Sequence, residues 1–186
     1  KHLLAPNMKG LEQAIQIIDQ AIDENKKIVI IGDYDADGAT STALMVLALR
    51  DMGANVEYLV PDRFKYGYGL TPKIADLAFS RYQPDLLITV DNGISSHAGV
   101  EQAQAHGMQV LITDHHLTTK ATPDAEAVVN PNQLGCEFPS KALAGVGVAF
   151  YLLANLSSHR NKLSKSSSKI SDYLDLVALG TYADVA

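Results

Sequence analysis

Three short segments of this sequence gather carboxylates and imidazoles more densely than solubility requires. Asp33, Asp35 and Asp37 alternate in Asp33-Tyr34-Asp35-Ala36-Asp37-Gly38, Asp91 sits in Val90-Asp91-Asn92-Gly93, and Asp114, His115 and His116 are consecutive. Bare carboxylates crowded together repel one another and raise their own pKa values unless a cation neutralises them. Carboxylate oxygens favour Mg²⁺ and Mn²⁺, and neutral imidazole also binds Mn²⁺ or Zn²⁺ well. A mixed Asp and His set therefore points to Mn²⁺ or Mg²⁺ over Zn²⁺. The chemistry expected of such a centre is hydrolysis at phosphate.

The elements that must position these groups are legible around them. Each cluster follows directly on an apolar run, at 28–31, 86–90 and 110–112. Runs rich in Ile, Val and Leu between helical patterns read as buried parallel strands. Further strands are predicted at 56–60 and 127–129, and the third acidic cluster closes a strand at 109–113. Helices are expected at about 9–25, 40–52 (stopped by Gly53), from Thr71-Pro72 onward, from Ser95 or Ser96 to Gly107, at 142–156 and at about 170–179. The 9–25 segment carries Leu11, Ala14, Ile15, Ile18, Ala21 and Ile22 as one stripe. Alternation of helix and strand gives an α/β fold: a doubly wound, mainly parallel five-stranded sheet with helices on both faces. All three clusters then lie at strand carboxyl ends, the edge where open α/β sheets bind ligands.

Local geometry suggests how the groups are shared. Alternate residues of an extended segment point the same way, so Asp33, Asp35 and Asp37 project to one side. Gly38 permits a tight turn. Thr40, Ser41 and Thr42 are then expected to open a helix whose free N–H groups could hold a phosphate. Successive side chains after a strand diverge, so one of His115 and His116 is expected on the metal and the other toward phosphate.

Other readings of the motifs fit less well. Asp33-x-Asp35-x-Asp37-Gly38 opens like an EF-hand loop, but the twelfth position is Leu44 rather than a bidentate Glu, and a strand precedes it. A haloacid-dehalogenase phosphatase needs Asp-x-Asp-x-Thr or Val, and the fifth position is Ala39 or Asp37. A response-regulator receiver would use an acid at Asp91 but leaves Asp114-His115-His116 unexplained. A solvated acidic turn, or a lone capping role for Asp91, explains one cluster and not three. His97 lies close enough in sequence to Asp91 to approach the site. His106 is expected to serve a helix end, and His2 and His159 to lie in mobile segments. Residues 157–169, with six serines, four Lys or Arg and His159, read as a solvated linker.

Bulk properties fit one domain. The 186 residues are 47% hydrophobic, no stretch approaches a membrane span, and no signal pattern opens the chain. The single Cys136 excludes an intrachain disulfide and suits a reducing cytoplasm, where it is expected to be structural or at the surface.

In this order, these residues resemble the DHH phosphoesterase superfamily, named for the triplet seen at Asp114-His115-His116. Within it they are most similar to the RecJ family of single-strand-specific exonucleases. The likeness runs from about Leu3 to the last residue. It includes Gly32-Asp33-Tyr34-Asp35-Ala36-Asp37-Gly38, Arg63 with Gly67-Tyr68-Gly69-Leu70, Leu143-Ala144-Gly145-Val146-Gly147, and the stretch from Leu176 to Val185 that supplies Asp184. The resemblance implies one divalent ion on Asp37, Asp91, His115 and Asp184, and a second on Asp35 and Asp91 with Asp33 close by. It implies His116 against the scissile phosphate, Asp114 orienting the histidines, and Arg63, Gly145 and Gly147 as substrate contacts. Tyr182 and Asp62 depart from the usual residues at their positions. The implied activity is 5′→3′ hydrolysis of single-stranded DNA to mononucleotides by a monomer in DNA repair and recombination. Single-strand-binding protein and a RecQ-type helicase are the implied partners. Family members carry a second, DHHA1-type domain and often an oligonucleotide-binding barrel, so residues 1–186 read as the metal-binding core alone.

Net charge is −6, which looks unsuited to a polyanion, but setting aside the six implied site aspartates leaves as many acids as bases. Two competitors remain open. A DHH pyrophosphatase or small-nucleotide phosphatase usually begins its first motif with His, where this chain has Ile31, and a non-catalytic DHH-fold binding subunit tends to lose its acids.

Overall fold

The structure is a computed structural model and describes residues 4–118, 120–165 and 168–185. His2 therefore lies outside the described residues, as do Leu3, Ser166 and Ser167.

Five parallel strands form one sheet: β1 (Lys27–Ile31), β2 (Asn55–Leu59), β3 (Leu86–Val90), β4 (Gln109–Thr113) and β5 (Ala127–Val129), in the order β2-β1-β3-β4-β5. The helices are α1 (Leu11–Asp23), α2 (Ala36–Asp51), α3 (Arg63–Tyr66), α4 (Pro72–Tyr82), α5 (His97–Ala105), α6 (Gly145–Lys162) and α7 (Leu174–Asp184), with a 3₁₀ turn at Ile170–Tyr173. Strand side chains alternate between the two faces. Ile28, Ile30, Leu86, Ile88 and Leu111 pack under α1, α2 and α6. Val29, Ile31, Leu87, Val110 and Ile112 pack under α4 and α5. Covering both faces removes any need for polar alternation, hence the unbroken apolar runs. Each fully buried Ile, Leu or Val contributes about 1.5–3 kcal/mol relative to exposure.

The sheet order sets the position of the site. From β1 the chain steps out to β2, then returns across β1 to β3 and continues to the other side. The carboxyl ends of β1 and β3 therefore flank the point where winding reverses, where such sheets open a crevice for ligands. Register keeps the ends level: Ile31 pairs with Thr89, and Val90 with Thr113.

Several boundaries differ from the sequence reading. The helix after β1 starts at Ala36, not Thr40, because the Asp35 carboxylate accepts the Gly38 N–H at 2.9 Å and caps it. Only Asp33 and Asp35 precede the helix, so the three acids do not share an extended segment. Thr40, Ser41 and Thr42 fall in the second turn. The hydroxyls of Thr40 and Thr42 bond back to the Ala36 and Gly38 carbonyls at 2.8 and 2.7 Å, and no phosphate nest forms there. The four-residue α3 was not anticipated. The linker read at 157–169 is largely structured: α6 continues to Lys162, where buried Arg160 bonds Asp19 and Asp23 of α1, and Lys165 bonds Asp23 at 2.5 Å. His159 lies in this helix, 3.6 Å from Asp19, rather than in a free segment. No helix among the described residues is long and apolar enough to cross a membrane.

Candidate metal centre

The acids of the first motif take three different environments. Asp33 leaves β1 buried, its Oδ1 accepting the Tyr34 N–H at 2.7 Å and Arg63 Nη2 at 2.8 Å. Asp35 is exposed at the cap of α2. Asp37 is buried in the first turn of α2, and its carboxylate accepts the backbone N–H groups of Gly145 and Val146 at 2.6 and 2.8 Å. Those are first-turn amides of α6, which need acceptors and carry the positive end of the helix dipole. Burial still raises the Asp37 pKa above the ordinary carboxylate value, with these bonds opposing it.

Asp91 directly follows β3 with φ 59°, the left-handed region that Asp and Asn tolerate better than most side chains. It is only 2% exposed, and its Oδ1 makes no well-aligned hydrogen bond, although His115 Nε2 lies 3.1 Å away. Burial, aided by the charges of Asp37 and Asp35, pushes its pKa up to about 7. Beside it, the Asn92 side-chain amide donates to the Ile31 and Val90 carbonyls at 3.1 and 2.8 Å, tying the ends of β1 and β3 together.

Asp114 acts as a hub. Its Oδ2 accepts the Ile94 N–H at 2.8 Å, and its Oδ1 meets the His115 and His116 amides and His116 Nδ1 at 2.7, 3.1 and 2.7 Å. Burial opposes the charge on Asp114, but the His116 contact and the backbone donors outweigh it and hold its pKa low. An ionised Asp114 can only accept, so Nδ1 of His116 is the donor. That bond lifts the His116 pKa to about 9. Nε2 of the same ring faces outward, 3.4 Å from the Tyr68 hydroxyl, beside a cleft of about 280 Å³ lined by Tyr68, Ser95, Ser96 and Leu117. The Tyr68 pKa is raised by burial and the surrounding carboxylates.

His115 turns the other way. Its Nε2 lies 3.1 Å from Asp91 Oδ1 and 3.8 Å from Asp37 Oδ2, and its Nδ1 lies 3.9 Å from Asp184 Oδ2. Burial disfavours its charge, but the Asp91 contact and the pull of Asp91 and Asp184 outweigh that and raise its pKa. Asp184 arrives from the end of α7. Gly180, one turn earlier, lets α7 sit directly on α2 and α6, since a Cβ there would lie 2.3 Å from Thr40 Oγ1 and 2.8 Å from Val146.

Potential ligand atoms thus converge within 4.8 Å of one another in three groups: Asp37, His115 and Asp184; Asp33, Asp35 and Asp91; and Asp91, His115 and His116. A buried carboxylate oxygen with no well-aligned hydrogen bond, at the junction of these groups, is the kind of atom a cation satisfies. The residues present therefore fit a divalent metal.

The remaining expected site residues are placed less centrally. Arg63 reaches the centre through Asp33. Gly145 contributes its N–H to Asp37 and has no room for a side chain, because a Cβ would lie 2.7 Å from Asp91 Oδ1. Gly147 faces Leu143, its Cβ position 2.5 Å from Cδ1, so it has a packing role. His97 is exposed and joins no ligand group among the described residues. His106 is the C-cap of α5, the helix end expected for it, where it also stacks on Phe79 and bonds Asp76 of α4 at 2.7 Å. Sequence reasoning missed Asn92, Asn130 and Asn132. The last two donate to the carbonyls of His116 and His115 at 3.0 and 2.6 Å, and so hold the loop. The available signal was Asn130-Pro131-Asn132, directly after β5 at the same sheet edge.

A model of the DHH family's N-terminal domain matches residues 27–181. The chain belongs to the DHH family. It is 53% identical over 183 residues to the single-stranded-DNA-specific exonuclease RecJ of Dickeya dadantii (strain 3937), covering 95% of this chain and 32% of that protein. The crystal structure of an exonuclease RecJ bound to manganese superposes with a TM-score of 0.86 at 37% identity, over 99% of this chain and 46% of that one. RecJ from Thermus thermophilus in complex with Mn²⁺ gives 0.81 at 35% identity, over 99% and 25%. This DHH chain spans about a third of the length of the curated relatives it matches at about half identity.

Proposed function

We propose that this DHH domain hydrolyses phosphodiester bonds of single-stranded DNA from the 5′ end and releases 5′-mononucleotides, using two divalent ions, Mn²⁺ or Mg²⁺. The observation that carries the reading is the convergence of buried carboxylate and imidazole ligand atoms on Asp91, whose Oδ1 makes no well-aligned hydrogen bond. Asp37, Asp91, His115 and Asp184 would hold one ion. Asp35 and Asp91 would hold the other, with Asp33 beside them. When bound, such ions neutralise developing charge and lower the pKa of a water that attacks phosphorus.

The chain's own groups do the rest. Asp114 fixes the tautomer and direction of His116 and keeps it protonated, so that its outward Nε2–H can donate to a phosphate oxygen. Arg63 neutralises Asp33 and holds it against the cluster. The α6 amides keep Asp37 aimed inward. The likeness to RecJ exonucleases supports the polymer substrate and either Mn²⁺ or Mg²⁺. By the same likeness, the whole protein would be a cytoplasmic monomer whose further domains complete the cleft. Single-strand-binding protein and a RecQ-type helicase are then its expected partners in DNA repair and recombination.

The test is incubation with Mn²⁺ and an internally labelled single-stranded oligonucleotide, with pyrophosphate in parallel. Mononucleotide release that Asp37→Ala abolishes supports the reading. Cleavage of pyrophosphate alone overturns it in favour of a DHH pyrophosphatase, and oligonucleotide binding by the parent with no release of nucleotide, unchanged in Asp37→Ala, would indicate a non-catalytic subunit.

A further inference from the structure

The turn that carries Arg63 holds a residue the metal centre does not use. Phe64 is 95% exposed, the most solvent-facing of the large apolar side chains among the described residues. It sits in Asp62-Arg63-Phe64-Lys65-Tyr66-Gly67-Tyr68, where aromatic rings alternate with cations. A ring that exposed buries almost none of its apolar surface in the fold.

The backbone that presents Phe64 is fixed. Asp62 caps α3 by accepting the Phe64 N–H at 2.9 Å, Gly67 closes the turn at φ 88°, and Thr71 Oγ1 bonds the Tyr66 carbonyl at 2.9 Å. The preceding residue ties the turn to the metal cluster through the Arg63–Asp33 ion pair at 2.8 Å. Next to Asp33 in the chain Tyr34 is also exposed, and beyond the end of α3 Tyr68 lies under the Arg63 guanidinium and against His116. Aromatic side chains therefore sit on the segments that carry Asp33 and Arg63, with Tyr68 touching His116, and Arg63 and Lys65 supply cations beside a centre that is itself acidic. A ligand that suits both has flat apolar faces joined by phosphates.

We infer that Phe64 is a stacking platform for a nucleobase of the single strand whose phosphate lies at the metal centre, with Lys65 beside it to meet the neighbouring backbone phosphate. This rests on the single-strand reading above and deepens it by naming a base-binding position on this domain. Stacking on an aromatic ring tolerates any base, so the site would favour unpaired strands without selecting sequence.

The test is equilibrium binding of a phosphorothioate-linked single-stranded oligonucleotide to the intact protein with Mn²⁺, followed by anisotropy. Intrinsic fluorescence of 2-aminopurine, placed in turn at each position from the 5′ end, reports stacking. Phe64→Ala is expected to weaken binding about 5- to 150-fold, the range for loss of one base–aromatic stack. It is expected to abolish the 2-aminopurine quenching at one position and to leave thermal stability unchanged. Phe64→Trp is expected to retain both affinity and quenching. An abasic nucleotide at the quenched position is expected to make parent and Phe64→Ala bind alike. Equal affinity and equal quenching in parent and Phe64→Ala would overturn the inference while leaving the single-strand reading intact. A parent that hydrolyses bis(p-nitrophenyl) phosphate yet binds no oligonucleotide would overturn the single-strand reading, and the inference with it.

Discussion

Gly145→Ala is the smallest change expected to disturb both halves of the metal centre. A Cβ at this position would lie 2.7 Å from Asp91 Oδ1, 2.8 Å from its Cβ and 2.9 Å from its Cγ, while the same residue's N–H is bonded to Asp37 Oδ2 at 2.6 Å. One methyl group must therefore push Asp91 aside or lift the start of α6 away from Asp37. Overpacking of this kind costs about 1–3 kcal/mol. For a domain of this size each kcal/mol corresponds to roughly 2–4 °C in Tm. Displacing groups that aim metal ligands typically costs about 10- to 100-fold in metal affinity. Calorimetric melting of the metal-free protein and isothermal titration with Mn²⁺ measure the two effects separately. Gly147→Ala is the control. Its close contact is to the end of the Leu143 side chain, which is half-buried and can rotate. Its Mn²⁺ affinity is expected to match the parent's. A Gly145→Ala variant that binds Mn²⁺ as tightly as the parent and melts at the same temperature would refute the packing argument.

Without metal, stability is expected to fall as pH rises. Asp91, lifted from the ordinary carboxylate value to about 7, contributes stability that is fully present below about pH 4 and lost as pH climbs through 7. A shift of that size corresponds to at most ~4 kcal/mol. His116, raised to about 9, adds a smaller loss between about pH 6.5 and 9, reduced by its 46% side-chain exposure. Urea melts from pH 5 to 9 check this, and a flat or rising profile would contradict it. Asp114→Asn removes the ionised acceptor, so the His116 pKa is expected to fall from about 9 toward 6.5, as read by NMR titration. An unchanged value would deny Asp114 its orienting role. Arg160→Ala breaks the buried tie to Asp19 and is expected to destabilise the fold by about 3 kcal/mol. It lies 15 residues, or about 22 Å, along α6 from Gly145, so Mn²⁺ affinity is expected to be unaffected. Altered metal binding in this variant would show coupling that the structure does not provide.

The alternation of apolar runs with helical patterns made the parallel sheet and the carboxyl-edge position of the three acidic clusters legible, because burial on both faces leaves a simple signature. The start of α2 was not legible. The period-two spacing of Asp33, Asp35 and Asp37 matches a strand as well as a capped helix, and the later Thr40-Ser41-Thr42 looks like a better cap than Asp35. Arg160 fastens a serine-rich segment that composition alone marks as loose. The contacts that shape the site lie far apart in the chain: Gly145 reaches Asp37 across 108 residues, and Asn132 reaches His115 across 17. No local pattern encodes such pairings. Asp184 is the extreme case, since an acid near the end of an apolar helix has no distinguishing neighbour. Only the resemblance to a known motif separated it from Asp172 and Asp175.

The central claim, a divalent-metal centre built around Asp91, is tested most directly by Mn²⁺ titration of the parent and of Asp91→Asn, followed by electron paramagnetic resonance. Asn tolerates the φ of 59° and matches Asp in shape, so the backbone is expected to hold. The parent is expected to bind two Mn²⁺ ions about 4 Å apart, close enough for their spins to couple. Asp91→Asn is expected to lose the coupled pair while melting at a higher temperature than the metal-free parent at pH 8, because a buried charge has been removed. Two coupled ions retained in Asp91→Asn at parental affinity would contradict the account.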